Sequence, residues 1–310
     1  MPDQLPILLD CDTGIDDALA ILYLVNSGLC DLVAVGSVHG NVTAAMGARN
    51  TIRVLDVAGV SGIPVVVGAD RPIAQPVDIS AHIHGDDGLG NTNQPAPSAA
   101  PDRGHAAQQI IRLAHERPGE LTLLAIGPLT NLGLALLLEP ELPALISKVV
   151  VMGGAALAPG NVTAHGEANV WHDPEAADLV FTAGWPVTMV GLDVTMKTLL
   201  TDADQRRIEN SQGDIARFCW DILQFYLDRY QRVMGFRTCG LHDPLAAGIA
   251  LERSFATYRK ASLRVELRGE HTRGMTVADL RPGRPAEGPV EIAMEVDTDG
   301  FREKFLDTIC

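Results

Sequence analysis

The chain is short of positive charge: across 310 residues, 24 Lys and Arg face 39 Asp and Glu, for a formal net charge of −15 at pH 7. Nowhere do Lys and Arg gather into a basic stripe. This excludes nucleic acid and anionic membrane as natural partners, because both select a positive surface. Long apolar runs are also missing. No uncharged run of apolar residues alone reaches the roughly 18 residues of a membrane span, and the first six residues lack the basic start of a secretory leader, so a cytoplasmic protein is expected. Cysteine is sparse: Cys11, Cys30, Cys219, Cys239 and Cys310 are odd in number, scattered, and without CxxC spacing. Neither a disulfide framework nor a thiolate zinc site is expected from them. Apolar residues are plentiful, 46% against 20% charged, which is the profile of a globular chain with a sizeable core.

Short Val- and Leu-rich runs alternate with helix-period segments. Strands are predicted at 7–9, 32–38, 65–67, 121–126, 149–152 and 187–190. Helices fall between them at 16–27, 44–58, 105–116, 132–138 and 174–183. Strands this apolar are buried on both faces, so the expected fold is α/β, with a mostly parallel, Rossmann-like central sheet flanked by helices. Beyond about residue 200 the pattern changes to a long helix over 213–234, a second helix after Pro244, and β-patterned segments at 262–267 and 290–296. These predict a small, partly antiparallel C-terminal subdomain. The reading is of one domain over 1–310, with an α/β core to about 200 and a helical and small-β extension beyond it. The segment 69–103, rich in Pro, Gly and Asp, has the length of a functional lid.

In such sheets ligands sit at the carboxyl ends of the strands, and these junctions are polar here. The first carries Asp10-Cys11-Asp12-Thr13-Gly14-Ile15-Asp16-Asp17, four carboxylates within eight residues where a strand runs into a helix. A helix N-terminus supplies about half a positive charge, too little to offset four anions, and capping employs one or two of them. A bound cation or raised pKa values must supply the rest. With oxygen ligands and no Cys or His pairing, the ion should be hard, Ca²⁺ or Mg²⁺ before Zn²⁺. The spacing also invites comparison with the DxDx[TV] signature of haloacid-dehalogenase-like phosphatases. That reading makes the protein a Mg²⁺ phosphohydrolase with Asp10 as nucleophile. It fails at Gly14, where a Thr or Val belongs, and the Asp16-Asp17 pair is foreign to it.

The segment DCDTGIDDALAI at 10–21 resembles the amino-terminal signature of the inosine-uridine nucleoside hydrolase family, usually DxDxGxDDAxA. The resemblance continues in order through VHGN at 38–41, HGDDGLG at 84–90, AIGPLTNL at 125–132, VMGGA at 151–155, GNVTAHGEANVWHDPEAA at 160–177 and HDPLA at 242–246. It implies hydrolysis of the N-glycosidic bond of ribonucleosides to ribose and free base. It also implies a Ca²⁺ held by Asp12, Asp17, Asp243 and the backbone carbonyl of Ile126, with Asp12 also the general base. Asp16, Asn41, Asn161, Glu167 and Asn169 would bind the ribose hydroxyls and shield a cationic transition state. A homodimer or homotetramer acting on a small ribonucleoside completes the expectation.

His242 would protonate the leaving base, a role that suits an imidazole. Tyr226 and Tyr230, one turn apart on the long helix, could meet the base or simply pack in the core, and His84 is a further base-side candidate on the lid. Asp173-Pro174 and Asp243-Pro244 both read as an N-cap followed by Pro. The resemblance sends Asp243 to the metal and leaves Asp173 to capping. Two departures stand out: Thr13 replaces a frequent Pro, and Ala168 replaces a frequent aromatic, which leaves a pocket either wider or differently closed near the 5′ end of the ribose. A non-catalytic ribose or nucleoside binder that keeps the metal is the remaining alternative.

Overall fold

The structure, a computed structural model, describes residues 4–281 and 288–310. Among the described residues ten strands form: β1 Leu5–Cys11, β2 Cys30–Ser37, β3 Val65–Val67, β4 Thr122–Ala125, β5 Lys148–Met152, β6 Val187–Val190, β7 Ala256–Ala261, β8 Leu263–Val265, β9 Thr276–Ala278 and β10 Val290–Val296. Eight of them make one sheet in the order β3-β2-β1-β4-β5-β6-β10-β7, and β8 and β9 make a separate antiparallel pair. Every neighbouring pair from β3 to β10 is parallel; β7 closes the edge antiparallel to β10. The mostly parallel sheet is as expected. The C-terminal β segments divide between the small antiparallel pair and two strands that extend the main sheet.

Side chains alternate between two apolar layers, as strand geometry requires. Ile7, Leu9 and Cys11 enter one core, shared with residues of the helices Ile15–Asn26, Ala44–Val57, Asp214–Met234, His242–Leu251 and Thr298–Ile309. Leu8, Leu123 and Val149 enter the other, shared with Ala106–Glu116, Thr130–Leu138 and Pro174–Thr182. The helices Ile15–Asn26 and His242–Leu251 pack on each other and are buried almost throughout, as helices apolar on every side must be. Tyr23 on the first helix meets Phe301 and Phe305 on the last, each with ring centroids 5.9 Å away, and burying rings of this size gains about 1.5–3 kcal/mol each. The two buried helices are therefore fixed, and both begin at the carboxyl edge of the sheet. Among the described residues no helix is long and apolar enough to cross a membrane.

Candidate active site

The turn from β1 into the helix Ile15–Asn26 folds around its own carboxylates. Asp17 accepts the backbone N–H groups of Asp12 (3.1 Å) and Gly14 (2.9 Å), which satisfies donors that a helix start leaves open. The loop after β2 leans onto the same turn: Asn41 donates its N–H to Asp12 Oδ2 at 2.6 Å and its side-chain amide to Asp17 Oδ2 at 2.9 Å. Two glycines make this approach possible. A Cβ at Gly14 would lie 2.6 Å from His84 Nδ1 and 2.8 Å from Asn41 Nδ2, so the Thr or Val of a phosphatase signature has no room. Gly40 has φ +152°, and a Cβ there would fall on the Asp12 carboxylate.

Asp243 reaches the pocket from the first turn of the buried helix His242–Leu251. Carboxylate oxygens of Asp16, Asp17 and Asp243 lie within 4.8 Å of one another; Asp12 stands beside this set, its backbone N–H held by Asp17 and its carboxylate feeling the charge of Asp17 and Asp16. Burial drives the carboxyl pKa values upward, most of all at Asp12 and Asp243, which also feel their neighbours' charge; Asp17 is pushed up to about 7 by burial and then by Asp16. Asp12 Oδ1 and Asp16 Oδ1 are buried without a hydrogen-bond partner. Four crowded carboxylates and orphaned oxygens of this kind fit a hard divalent cation, which restores the charged forms.

The far wall is a chain of rings. Tyr226 donates to Asp16 Oδ2 at 3.2 Å, its ring stands edge-on to Tyr230 with centroids 4.9 Å apart, and the Tyr230 hydroxyl lies 2.6 Å from His242 Nε2. Thr195 Oγ1 holds the other ring nitrogen of His242 at 2.8 Å. Burial lowers the His242 pKa, and the Asp16 charge opposes that. From the lid, His84 accepts the Ile15 N–H at Nδ1 (3.1 Å) and stands 3.8 Å from Asp16. Burial presses its pKa down to about 3, so it is a neutral imidazole.

The remaining candidates line the β4 and β5 ends. Glu167 caps the helix Ala168–His172, accepts from Asn169 and Val170, and reaches back to the Gly154 N–H at 2.8 Å. Asn169 donates to the carbonyls of Ile126 (2.9 Å) and Met152 (3.0 Å); a carbonyl has two lone pairs, so Ile126 keeps one for a further donor or ion. Asn161 is exposed, and its Oδ1 accepts the Ala168 N–H at 2.9 Å. Asp173 caps the helix Pro174–Thr182 and ties Thr130 and Ile73 to it, as its capping assignment requires.

Asp10 departs from the expected cluster. It sits within β1, fully buried, accepting from Asn131 Nδ2 at 2.8 Å, and burial lifts its pKa to about 8. A protonated carboxyl sealed under Asn131 is a core residue, which removes the nucleophile that a phosphohydrolase needs. Among residues not singled out from the sequence, Asn131 and Thr195 matter here. Asn131 follows β4 within the stretch GPLTN, and the strand-end rule points to it directly.

Residues 7–303 match the family model described as inosine-uridine preferring nucleoside hydrolase. The chain belongs to that family. It is 38% identical to the inosine-uridine preferring nucleoside hydrolase of Crithidia fasciculata, over 98% of this chain and 96% of that one. It is 39% identical to a pyrimidine-specific ribonucleoside hydrolase of Shewanella woodyi, over 96% and 95%. Among solved structures, a purine-preferring ribonucleoside hydrolase from Gardnerella vaginalis superposes with a TM-score of 0.92 at 35% identity, covering 98% of both chains. This nucleoside hydrolase is accordingly an enzyme that cleaves the N-glycosidic bond of ribonucleosides, and the pocket above is where its acidic and ring residues converge.

Proposed function

We propose that the enzyme hydrolyses inosine, uridine and related ribonucleosides with the help of a Ca²⁺ held by Asp12, Asp17, Asp243 and the Ile126 carbonyl. Asp16 adds a fourth carboxylate, beside those of Asp17 and Asp243. When bound, such an ion would supply Lewis-acid chemistry to the attacking water and to the ribose hydroxyls. Asp12 takes the proton of the attacking water. The C1′–N bond breaks with its electron pair passing to the base, and His242 donates a proton to that base so that it leaves neutral. Glu167, Asn41, Asn161 and Asn169 hydrogen-bond the ribose, and the nearby carboxylates stabilise the positive charge that develops on the sugar. Tyr226, Tyr230 and His84 form the side of the pocket that receives the base.

The observation that carries this reading is the place of Asp16: one carboxylate belongs both to the acidic triad and, through Tyr226 and Tyr230, to the ring chain that ends at His242. Carboxylates for the sugar and an imidazole for the base thus share one cleft, with the β1–β6 core and the C-terminal helices each supplying part of it. Ribose release from inosine and uridine, measured after exhaustive chelation and again after adding back Ca²⁺, tests the proposal. Activity should vanish and return; turnover that survives chelation counts against it.

A further inference from the structure

The connection from β5 to the helix Ala168–His172 carries Asn161 and ends on Glu167. Its root is gripped from two sides. Thr276 Oγ1 accepts the Ala155 N–H at 2.9 Å and donates to the Ala155 carbonyl at 2.7 Å. Asp193, on the short helix Leu192–Thr195 that follows β6, accepts three successive backbone N–H groups: Ala156 at 2.8 Å on Oδ2, and Leu157 at 2.7 Å and Ala158 at 2.9 Å on Oδ1. Asp193 is only 7% exposed. A buried carboxylate needs compensation for its lost hydration, and three converging N–H dipoles supply it.

Past Ala158 the loop is tied down again only near its far end, where Asn161 Oδ1 accepts the Ala168 N–H at 2.9 Å and Gly166 bridges to Met275. Leu157 is 71% exposed, and residues 160–166 close mainly on themselves, through Gly160 N–H to the Ala164 carbonyl at 3.1 Å and Gly166 N–H to Thr163 Oγ1 at 2.8 Å. Asn161 therefore stands three residues beyond the last N–H that Asp193 holds. The same short helix carries Thr195, whose hydroxyl lies 2.8 Å from His242 Nδ1. One turn of chain thus touches both the root of that loop and His242.

We infer that Asp193 is a positioning residue: it clamps the loop bearing Asn161 to the helix that supports His242, and so fixes the ribose side of the pocket relative to the base side. The inference rests on the reading of Asn161 as a ribose ligand. With the clamp released, the loop populates its binding-competent position only part of the time, and apparent affinity falls by that fraction while the chemistry of the bound complex is unchanged.

Asp193→Asn tests this. It conserves volume but turns an amide donor toward a backbone donor. Its KM for inosine should rise about tenfold with kcat within about threefold, the thermal midpoint should be nearly unchanged, and limited proteolysis should cut within 156–165 faster than in the wild type. In a double-mutant cycle with Asn161→Ala the KM effects should be non-additive, because both act through the same contact. Unchanged KM with unchanged protease resistance overturns the inference. So do additive KM effects, or losses that merely follow the folded fraction seen by circular dichroism. A wild type that hydrolyses no nucleoside, or an Asn161→Ala variant with normal KM, defeats the underlying reading, and the proteolysis comparison then still judges the clamp.

Discussion

His242→Ala removes an imidazole held at both nitrogens, 2.8 Å from the Thr195 hydroxyl and 2.6 Å from the Tyr230 hydroxyl. Of the two hydroxyls left behind, that of Thr195 belongs to a buried residue and that of Tyr230 to a partly buried one, and an unpaired buried polar group costs about 1–3 kcal/mol. The vacated space is polar and large enough for a water to bridge them, so the expected stability loss lies near the lower figure and the fold persists. The catalytic effect is larger and selective. A general acid contributes about 10²–10⁴-fold, or roughly 3–5 kcal/mol of barrier, and only when the leaving group needs a proton. For inosine, kcat/KM should fall by that factor. For p-nitrophenyl riboside, whose phenolate departs unaided, the change should stay within about threefold. Running both substrates on one preparation removes folded fraction as a variable. Equal losses on the two substrates would refute the acid role and leave His242 a packing residue. Tyr230→Phe keeps the edge-on contact with Tyr226 and deletes the hydroxyl; it should show the same selectivity at smaller size.

Other perturbations follow from the same geometry. Asp12→Asn keeps an acceptor for the Asn41 N–H and loses the base; kcat should drop about 10²–10⁴-fold with an unchanged circular dichroism spectrum, and retained turnover would remove Asp12 from the chemistry. Asp10→Asn should retain activity within a few fold. Because the folded Asp10 carboxyl titrates near 8 rather than at its usual 3.8, the wild type binds a proton on folding between those values and loses stability as pH rises through them. The variant should therefore gain on the wild type by up to about 1.4 kcal/mol per pH unit from pH 4 to 8, levelling above 8; a pH-independent difference in urea midpoints would contradict the assignment. Gly40→Ala forces a methyl onto the Asp12 carboxylate at φ +152° and should cost about 1–3 kcal/mol and most of the activity. Wild-type turnover in this variant would mean that the β2 loop is not fixed as described.

Much of this was legible in the residues. Strands β1 to β6 are short Val- and Leu-rich runs ended by polar junctions, so alternation alone placed them, and the ordered matches placed Asp12, Asp16, Asp17, Glu167, Asn169, His242 and Asp243. The pairing of β10 with β6 and of β7 with β10 was not legible. It joins segments about 100 and 30 residues apart in sequence, and no local pattern encodes such register. Asp10 was readable and misleading. Asp10 lies within β1, where it is sealed under Asn131, whereas Asp12 lies past the strand's end at Cys11, where the strand period no longer sets its direction; closeness in sequence suggested a shared pocket all the same. Asp193 and Thr195 follow β6 as directly as Asp12 follows β1, but an isolated Asp in GLDVT carries no cluster to draw the eye. Its role appears only when three backbone N–H groups from another loop arrive at it.

The most direct test of the account compares inosine with 2′-deoxyinosine across a Ca²⁺ titration of chelator-stripped enzyme. Under the proposed mechanism the carboxylate pocket acts through its ion on the ribose diol, so ribose release from inosine should saturate with added Ca²⁺ while the deoxynucleoside remains at least about a hundredfold poorer, the scale of a lost charge-assisted contact made in the transition state. Equal cleavage of the two nucleosides, or cleavage indifferent to Ca²⁺, would contradict it.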